Sequence, residues 1–330
     1  MKILVIFTGG TIGSVISSDS IFVSEVTKYT LINDYIAKFG AETIFETQTP
    51  FYVLSENLSA AEINALIKCV NENANKGYDG IIITHGTDTL AYSAAFLSYM
   101  VENTDIPVML VSSNLPLESP TSNGRINFEA AVSFIKEKSG KGVFACYKNT
   151  DEEKVQIHYG IRLISSGELC DNNYSIKNEP YAFYNGEKIL LNERCKKITS
   201  VSPYKNVFLC DYPDILVVKA RPGDNFNYNL ENYSSVIMIP YHSGTLNTSN
   251  QAFKEFCNRA KKLDIPIFIV NLREGFDYES KKLFDDLSLI QLPLCTFIAI
   301  YVKIWIGKSI KEPLAEFVKT ESAGEFYNWI

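Results

Sequence analysis

Histidine is scarce in this 330-residue chain, which has three. His85, His158 and His242 stand too far apart for the short spacings that metal-ligating histidines use, which leaves no metal site to propose. Basic runs are missing as well. No more than two Lys or Arg stand together and the formal charge is −7, so the chain lacks the positive footprint that a phosphate backbone requires, and nucleic acid is not an expected partner. The seven cysteines (Cys69, Cys146, Cys170, Cys195, Cys210, Cys257 and Cys295) are odd in number and form no C-x-x-C pair. That pattern fits reduced, mostly buried thiols in a cytoplasm rather than a disulfide framework. No apolar stretch reads as a membrane span. The longest late one, residues 289–306, contains Gln291, Pro293 and Lys303, and so reads as a buried strand followed by a helix. The opening run Ile3-Leu4-Val5-Ile6-Phe7 is too short for a secretory signal core and leads straight into a glycine-rich turn, which makes it a first strand.

What is present is the composition of an ordinary globule, 46% hydrophobic and 21% charged. The length exceeds the ~250–300 residues at which a single core stops growing, so two domains are expected. Residues 1–190 form the larger and 211–330 the smaller, with 191–210 as linker. In the first half, apolar runs alternate with amphipathic ones. Strands are expected at residues 2–8, 42–46, 80–84, 107–111 and 142–147, and helices at 25–39, 60–74, 89–101 and 123–138. Runs such as Ile81-Ile82-Ile83 are apolar on both faces, which calls for a mainly parallel sheet sandwiched by helices. Residues 155–207 are polar and rich in Asn and Tyr, and read as hairpin and linker. A second alternation follows, with strands at 214–220, 236–240 and 266–270 and helices at 250–262, 279–287 and 296–306, giving a smaller α/β domain.

In open parallel sheets, ligands gather where the carboxyl ends of strands meet the next helices. Three loops qualify: residues 8–13, 85–89 and 112–116. The first, Thr8-Gly9-Gly10-Thr11-Ile12-Gly13, sets a hydroxyl among glycines that let backbone come close to a ligand. It matches neither common phosphate loop, having no Gly-Lys-Ser/Thr and the wrong glycine spacing for a dinucleotide fingerprint. The second, His85-Gly86-Thr87-Asp88-Thr89, adds two hydroxyls and a carboxylate at a helix start, where any of the three could equally be a cap. His85 by itself reads as a packed or turn-stabilising imidazole.

Together these motifs resemble the asparaginase family of threonine amidohydrolases, which carries one threonine motif at its first turn and HGTDT about eighty residues later. Ser55-Glu56-Asn57-Leu58 is similar to the family loop that holds the α-carboxylate and α-amino groups of the substrate. Ser112-Ser113-Asn114-Leu115-Pro116-Leu117 is similar to its G-S-Q-x-P-L segment, and Tyr241-His242-Ser243-Gly244-Thr245 to a glycine-rich loop of its second domain. The resemblance implies hydrolysis of a side-chain amide through an acyl-enzyme, with Thr11 as nucleophile. Thr87 would relay protons and position water, and Asp88 with Glu56 would bind the substrate ammonium. Gly10, Ser55, Gly86 and Ser113 would line the substrate site. It implies no metal and no organic cofactor, a small amino-acid amide as partner, and a homodimer or homotetramer in which a neighbouring subunit completes the crevice.

Two positions depart from the family pattern. Ser165, in Gly160-Ile161-Arg162-Leu163-Ile164-Ser165, stands where the family has a lysine, and residues 14–23 contain no tyrosine where the family's mobile loop has one. Tyr29 is the next available tyrosine, and Lys148 and Lys154 are the lysines nearest in sequence. Two functions therefore follow from the sequence: an amidohydrolase with a rearranged proton relay, or a relative that binds an amino acid or amide without efficient turnover.

Overall fold

A computed structural model describes residues 1–17, 20–24, 27–102, 105–164, 166–167, 170–199, 201–272 and 278–327. The chain divides into two compact units, Met1–Asn206 and Val207–Ile330.

The first unit opens with β1 (Lys2–Phe7), a single 3-10 turn (Thr11–Gly13) and a hairpin of β2 (Ser14–Ser17) and β3 (Ser20–Val23). Then come α1 (Thr30–Phe39), β4 (Ile44–Gln48), α2 (Ala60–Asn73), β5 (Gly80–Thr84), α3 (Leu90–Met100), β6 (Pro107–Val111), α4 (Gly124–Lys136) and β7 (Gly142–Tyr147). Strands β1, β5, β6 and β7 stand where the apolar runs place them, because each is buried on both faces: every residue of β5 and β6 is buried, as a covered parallel sheet demands, whereas the edge strand β4 stays partly exposed. Ile3, Val5 and Phe7 share one core with residues of α1 and α4. The alternate residues Leu4 and Ile6 point to the opposite face and are buried completely.

The main sheet continues past β7 with β8 (Val155–Tyr159). A short pair, β9 (Leu163–Ile164) and β10 (Tyr174–Ser175), precedes β11 (Ala182–Tyr184) and β12 (Ile189–Leu191). The sheet order is β12-β11-β8-β7-β6-β5-β1-β4. Strands β4, β1, β5, β6 and β7 pair in parallel, while β8, β11 and β12 are added antiparallel. The stretch expected to be hairpin and linker thus supplies three strands of the sheet. They were hidden because the buried face of β8 carries Gln156 and His158, 2% and 0% exposed, which breaks the apolar pattern.

The second unit holds β13 (Ile215–Lys219), β14 (Ser235–Ile239), α5 (Gln251–Lys262), β15 (Ile267–Ile269), β16 (Leu289–Gln291), α6 (Phe297–Ser309) and α7 (Leu314–Lys319). Its four strands form a parallel sheet in sequence order. The apolar stretch 289–306 is the expected strand and helix, β16 and α6. Residues 279–287, expected to be helical, form a 3-10 turn over Glu279–Leu283, and α7 is an element that the sequence pattern did not announce. Among the described residues no helix is long and apolar enough to cross a membrane.

Sheet order positions the site. From β1 the chain runs to the edge strand β4, then passes back over β1 to β5, and from there advances the other way to β6 and β7. The loops after β1 and β5 therefore lie at a reversal of strand order, where open α/β sheets form their crevice.

Candidate active site

The ends of β1 and β5 are tied by the Thr8 hydroxyl, which donates to Thr84 O at 2.6 Å. Beyond that tie the two loops touch through glycine. Gly10 has φ 75° and ψ −176°, a region open essentially only to glycine. A Cβ there would lie 2.3 Å from Gly86 N and 2.4 Å from Gly86 Cα. Backbone thus meets backbone at the base of the crevice, with Thr11 one residue beyond Gly10 and Thr87 and Asp88 just beyond Gly86. Thr11 and Thr87 are half-buried, and Asp88 is exposed.

Ser55 completes the junction from beneath. A Cβ on Gly86 would meet Ser55 Oγ at 2.4 Å, and Ser55 O accepts the Thr89 hydroxyl at 3.0 Å. Ser55 itself is buried, whereas Glu56, next along the 3-10 turn Ser55–Asn57, is exposed. Helix α3 starts without a side-chain cap, since Thr89 points its hydroxyl at Ser55 instead. The capping alternative for this loop is therefore not what the residues do.

The third loop lies against the same turn. Gly124 brings α4 so close that a Cβ there would sit 2.9 Å from Ser113 Cβ and 3.4 Å from Ile12 Cγ1. Ser113 is fully buried and its hydroxyl donates to Leu115 O at 2.6 Å, so this side chain shapes its own loop. Asn114 and Asn123 exchange backbone and side-chain bonds at 2.9 and 3.1 Å, and Asn123 reaches Lys148 O at 2.8 Å. The third loop and the end of β7 are thereby joined.

His85 is 1% exposed. Burial pushes its pKa down to about 4, so the ring is neutral at pH 7 and its Nδ1 lies 2.8 Å from Gly86 O. It braces the loop, as its sequence context suggested. Among the described residues, no group of three or more His, Cys, Asp or Glu could hold a metal ion. Tyr29 packs its ring edge-on to Phe7 at 5.8 Å, and Lys154 lies 6.0 Å over the ring of Phe183. Ser165 lies outside the described residues. Sequence reasoning passed over Tyr52 and Val53, which carry no motif, although they immediately precede the Ser55 loop and touch the Thr11 turn. A cleft of about 390 Å³ in the second unit, lined by Lys261 and Asp264 among others, contains none of the motif residues.

A family model described as "Asparaginase, N-terminal" matches residues 2–169. The L-asparaginase of Thermococcus kodakarensis is 33% identical over 147 residues, which cover 44% of this chain and 42% of that protein. A Glutamyl-tRNA(Gln) amidotransferase subunit of Methanosarcina acetivorans is 32% identical over 165 residues, 49% of this chain and 38% of that one. The matched part therefore spans about two fifths of the length of these relatives. Among solved structures, L-asparaginase I of Vibrio cholerae superposes with a TM-score of 0.81 at 22% identity over 99% of each chain. The thermostable T. kodakarensis L-asparaginase gives 0.79 at 23% over 100% of each. At that identity the structures speak for the fold, while the matched model spans just over half of the sequence: the chain belongs to the asparaginase family.

Proposed function

We propose that this protein hydrolyses the side-chain amide of asparagine, or of a related small amino-acid amide, to the acid and ammonia. The observation that carries the reading is the backbone contact of Gly10 with Gly86, which sets the Thr11 turn beside Thr87 and Asp88 at one switch point of the sheet. In this reading the Thr11 hydroxyl oxygen bonds to the amide carbon, and backbone N–H groups near Thr11 and Thr87 stabilise the oxyanion. The C–N bond then breaks and the nitrogen leaves as ammonia after gaining the hydroxyl proton. Water, positioned by Thr87, cleaves the resulting ester, returning Thr11 and releasing the acid. Asp88 and Glu56, both exposed carboxylates, bind the substrate ammonium. The proposal extends to a cytoplasmic homodimer or homotetramer.

A second reading, binding of an amino acid or amide without efficient turnover, is favoured by Ser165 standing at the family's lysine position, since proton-transfer assistance is worth ~10²–10⁴-fold in rate. Ammonia release with L-asparagine, L-glutamine and their D-isomers separates the two, run beside Thr11→Ala as blank. Release that disappears in Thr11→Ala is expected. Equal release from the mutant refutes Thr11 as nucleophile, and saturable binding without release establishes the second reading.

A further inference from the structure

Tyr52 and Val53 are consecutive, and between them they grip both ends of the turn that carries Thr11. Val53 acts upstream through its backbone. Its carbonyl accepts Gly10 N at 2.9 Å, its N–H donates to Thr8 O at 3.0 Å, and it passes so close to Gly9 that a Cβ there would lie 2.3 Å from Val53 O. Tyr52 acts downstream through its side chain. Its hydroxyl lies 3.0 Å from Gly13 O and 3.1 Å from Ser24 O, and Gly13 O also accepts Ser24 N at 3.0 Å.

Gly13 and Ser24 are the neck of the β2–β3 hairpin, and the Tyr52 hydroxyl sits across that neck. At residue 13, where φ is not positive, a Cβ would lie 2.4 Å from the Tyr52 hydroxyl oxygen, so any side chain there would have to displace that hydroxyl. Past the neck, the hairpin exposes Ile16, Ile21 and Phe22 by 50%, 43% and 54%. It is tied outward where Ile16 N donates to Glu118 Oε2 at 3.2 Å. A lightly packed segment of this kind moves more readily than the sheet beneath it. Without a fixed neck, its motion would pass through Gly13 into the Thr11 turn, two residues away.

We propose that Tyr52 is a positioning residue for Thr11: its hydroxyl latches the hairpin neck, so that hairpin motion does not reach the nucleophile's turn. The hydroxyl has one proton and two carbonyls within reach, and it can swing from Gly13 O to Ser24 O as the hairpin pivots without releasing its hold. This rests on Thr11 being the nucleophile, and the test separates the two claims.

The test compares Tyr52→Phe, Gly13→Ala and the double variant by kcat, KM and hydrogen exchange of peptides spanning residues 9–24. Tyr52→Phe is expected to lower kcat by about 10-fold or more with KM within about two-fold, because a displaced nucleophile loses rate before it loses binding. Exchange should quicken around residues 10–14 and stay unchanged in the sheet. Gly13→Ala should behave alike, since its methyl displaces the same hydroxyl, and the double variant should be no slower than the worse single one. Should Tyr52→Phe fail to fold, Gly13→Ala carries the same readouts with Tyr52 in place. Wild-type kcat and exchange in Tyr52→Phe, or losses that multiply in the double variant, overturn the proposal. If the unaltered protein releases no ammonia, Thr11 as nucleophile falls, and the latch stands or falls on the exchange rates alone.

Discussion

Replacing Gly10 by alanine tests the junction on which the site depends, and Gly40 provides its control. Gly10 has φ 75° and ψ −176°, and Gly40, which ends α1, has φ 84° and ψ 173°. The backbone strain of an added Cβ is therefore nearly the same at both, about 1–3 kcal/mol. The surroundings differ completely. Nothing lies within 4 Å of a Cβ at Gly40, whereas one at Gly10 falls 2.3 Å from Gly86 N and 2.9 Å from His85 C. Non-bonded carbons settle at ~3.5–4 Å, so the two loops must part by roughly 1 Å. Such overpacking adds about 1–3 kcal/mol. Gly40→Ala should lose only the strain and keep its turnover. Gly10→Ala should lose about 2–6 kcal/mol in total, and a ~1 Å separation of Thr11 from Thr87 should cost about 10²-fold in kcat. Urea unfolding of both variants and ammonia release by the folded fraction read these quantities. A folded Gly10→Ala with unchanged kcat, or equal stability of the two variants, would refute the reasoning.

Two further perturbations have defined outcomes. In the second unit, Lys303 and Glu325 form an ion pair with both side chains 0% exposed, and Glu325 also accepts Ala323 N at 2.8 Å. Lys303→Met or Glu325→Gln alone should lose about 3–5 kcal/mol in urea unfolding by leaving a buried partner unmatched, while Lys303→Met with Glu325→Leu should recover much of it. His85 and His158 are held neutral by burial, with pKa values pushed from 6.5 to about 4 and about 3. The unfolded chain binds their protons first, so the stability they contribute is complete above pH 6.5 and falls with pH below it. By pH 4 the loss should reach about 3 kcal/mol for each. His158→Asn should flatten the pH dependence of the unfolding midpoint between pH 6.5 and 4, and an unchanged slope would show that His158 is not the group titrating.

Much of the sheet was legible because β1, β5 and β6 are apolar on both faces, a pattern that few other placements satisfy. The loops carrying Thr11 and Thr87 could be set at strand ends for the same reason. What escaped depends on contacts distant in sequence. Strand β8 buries Gln156 and His158 and so does not look like a strand from inside an apolar sheet. The β2–β3 hairpin is short and exposes its apolar residues, leaving little periodicity to read. Gly10 and Gly86 were each recognisable as glycines in motifs, but their mutual contact appears only when β1 pairs with β5. Tyr52 belongs to no motif, and its role comes entirely from where its hydroxyl ends.

The placement of β1 between β4 and β5 also constrains how the protein is made. Lys2 is bonded to Asp79, 77 residues away, and the Thr8 tie to Thr84 spans 76. During synthesis, an N-terminal strand with two apolar faces leaves the ribosome long before its β5 partner exists. At ~5–20 residues per second, that interval lasts several seconds. For that time Ile3 to Phe7 can pair only with β4, whose Ile44–Gln48 emerge first, and their apolar β5 edge stays open. Thr11 can meet Thr87 only after that wait, so the chain cannot carry out the proposed chemistry while its first strand is still exposed.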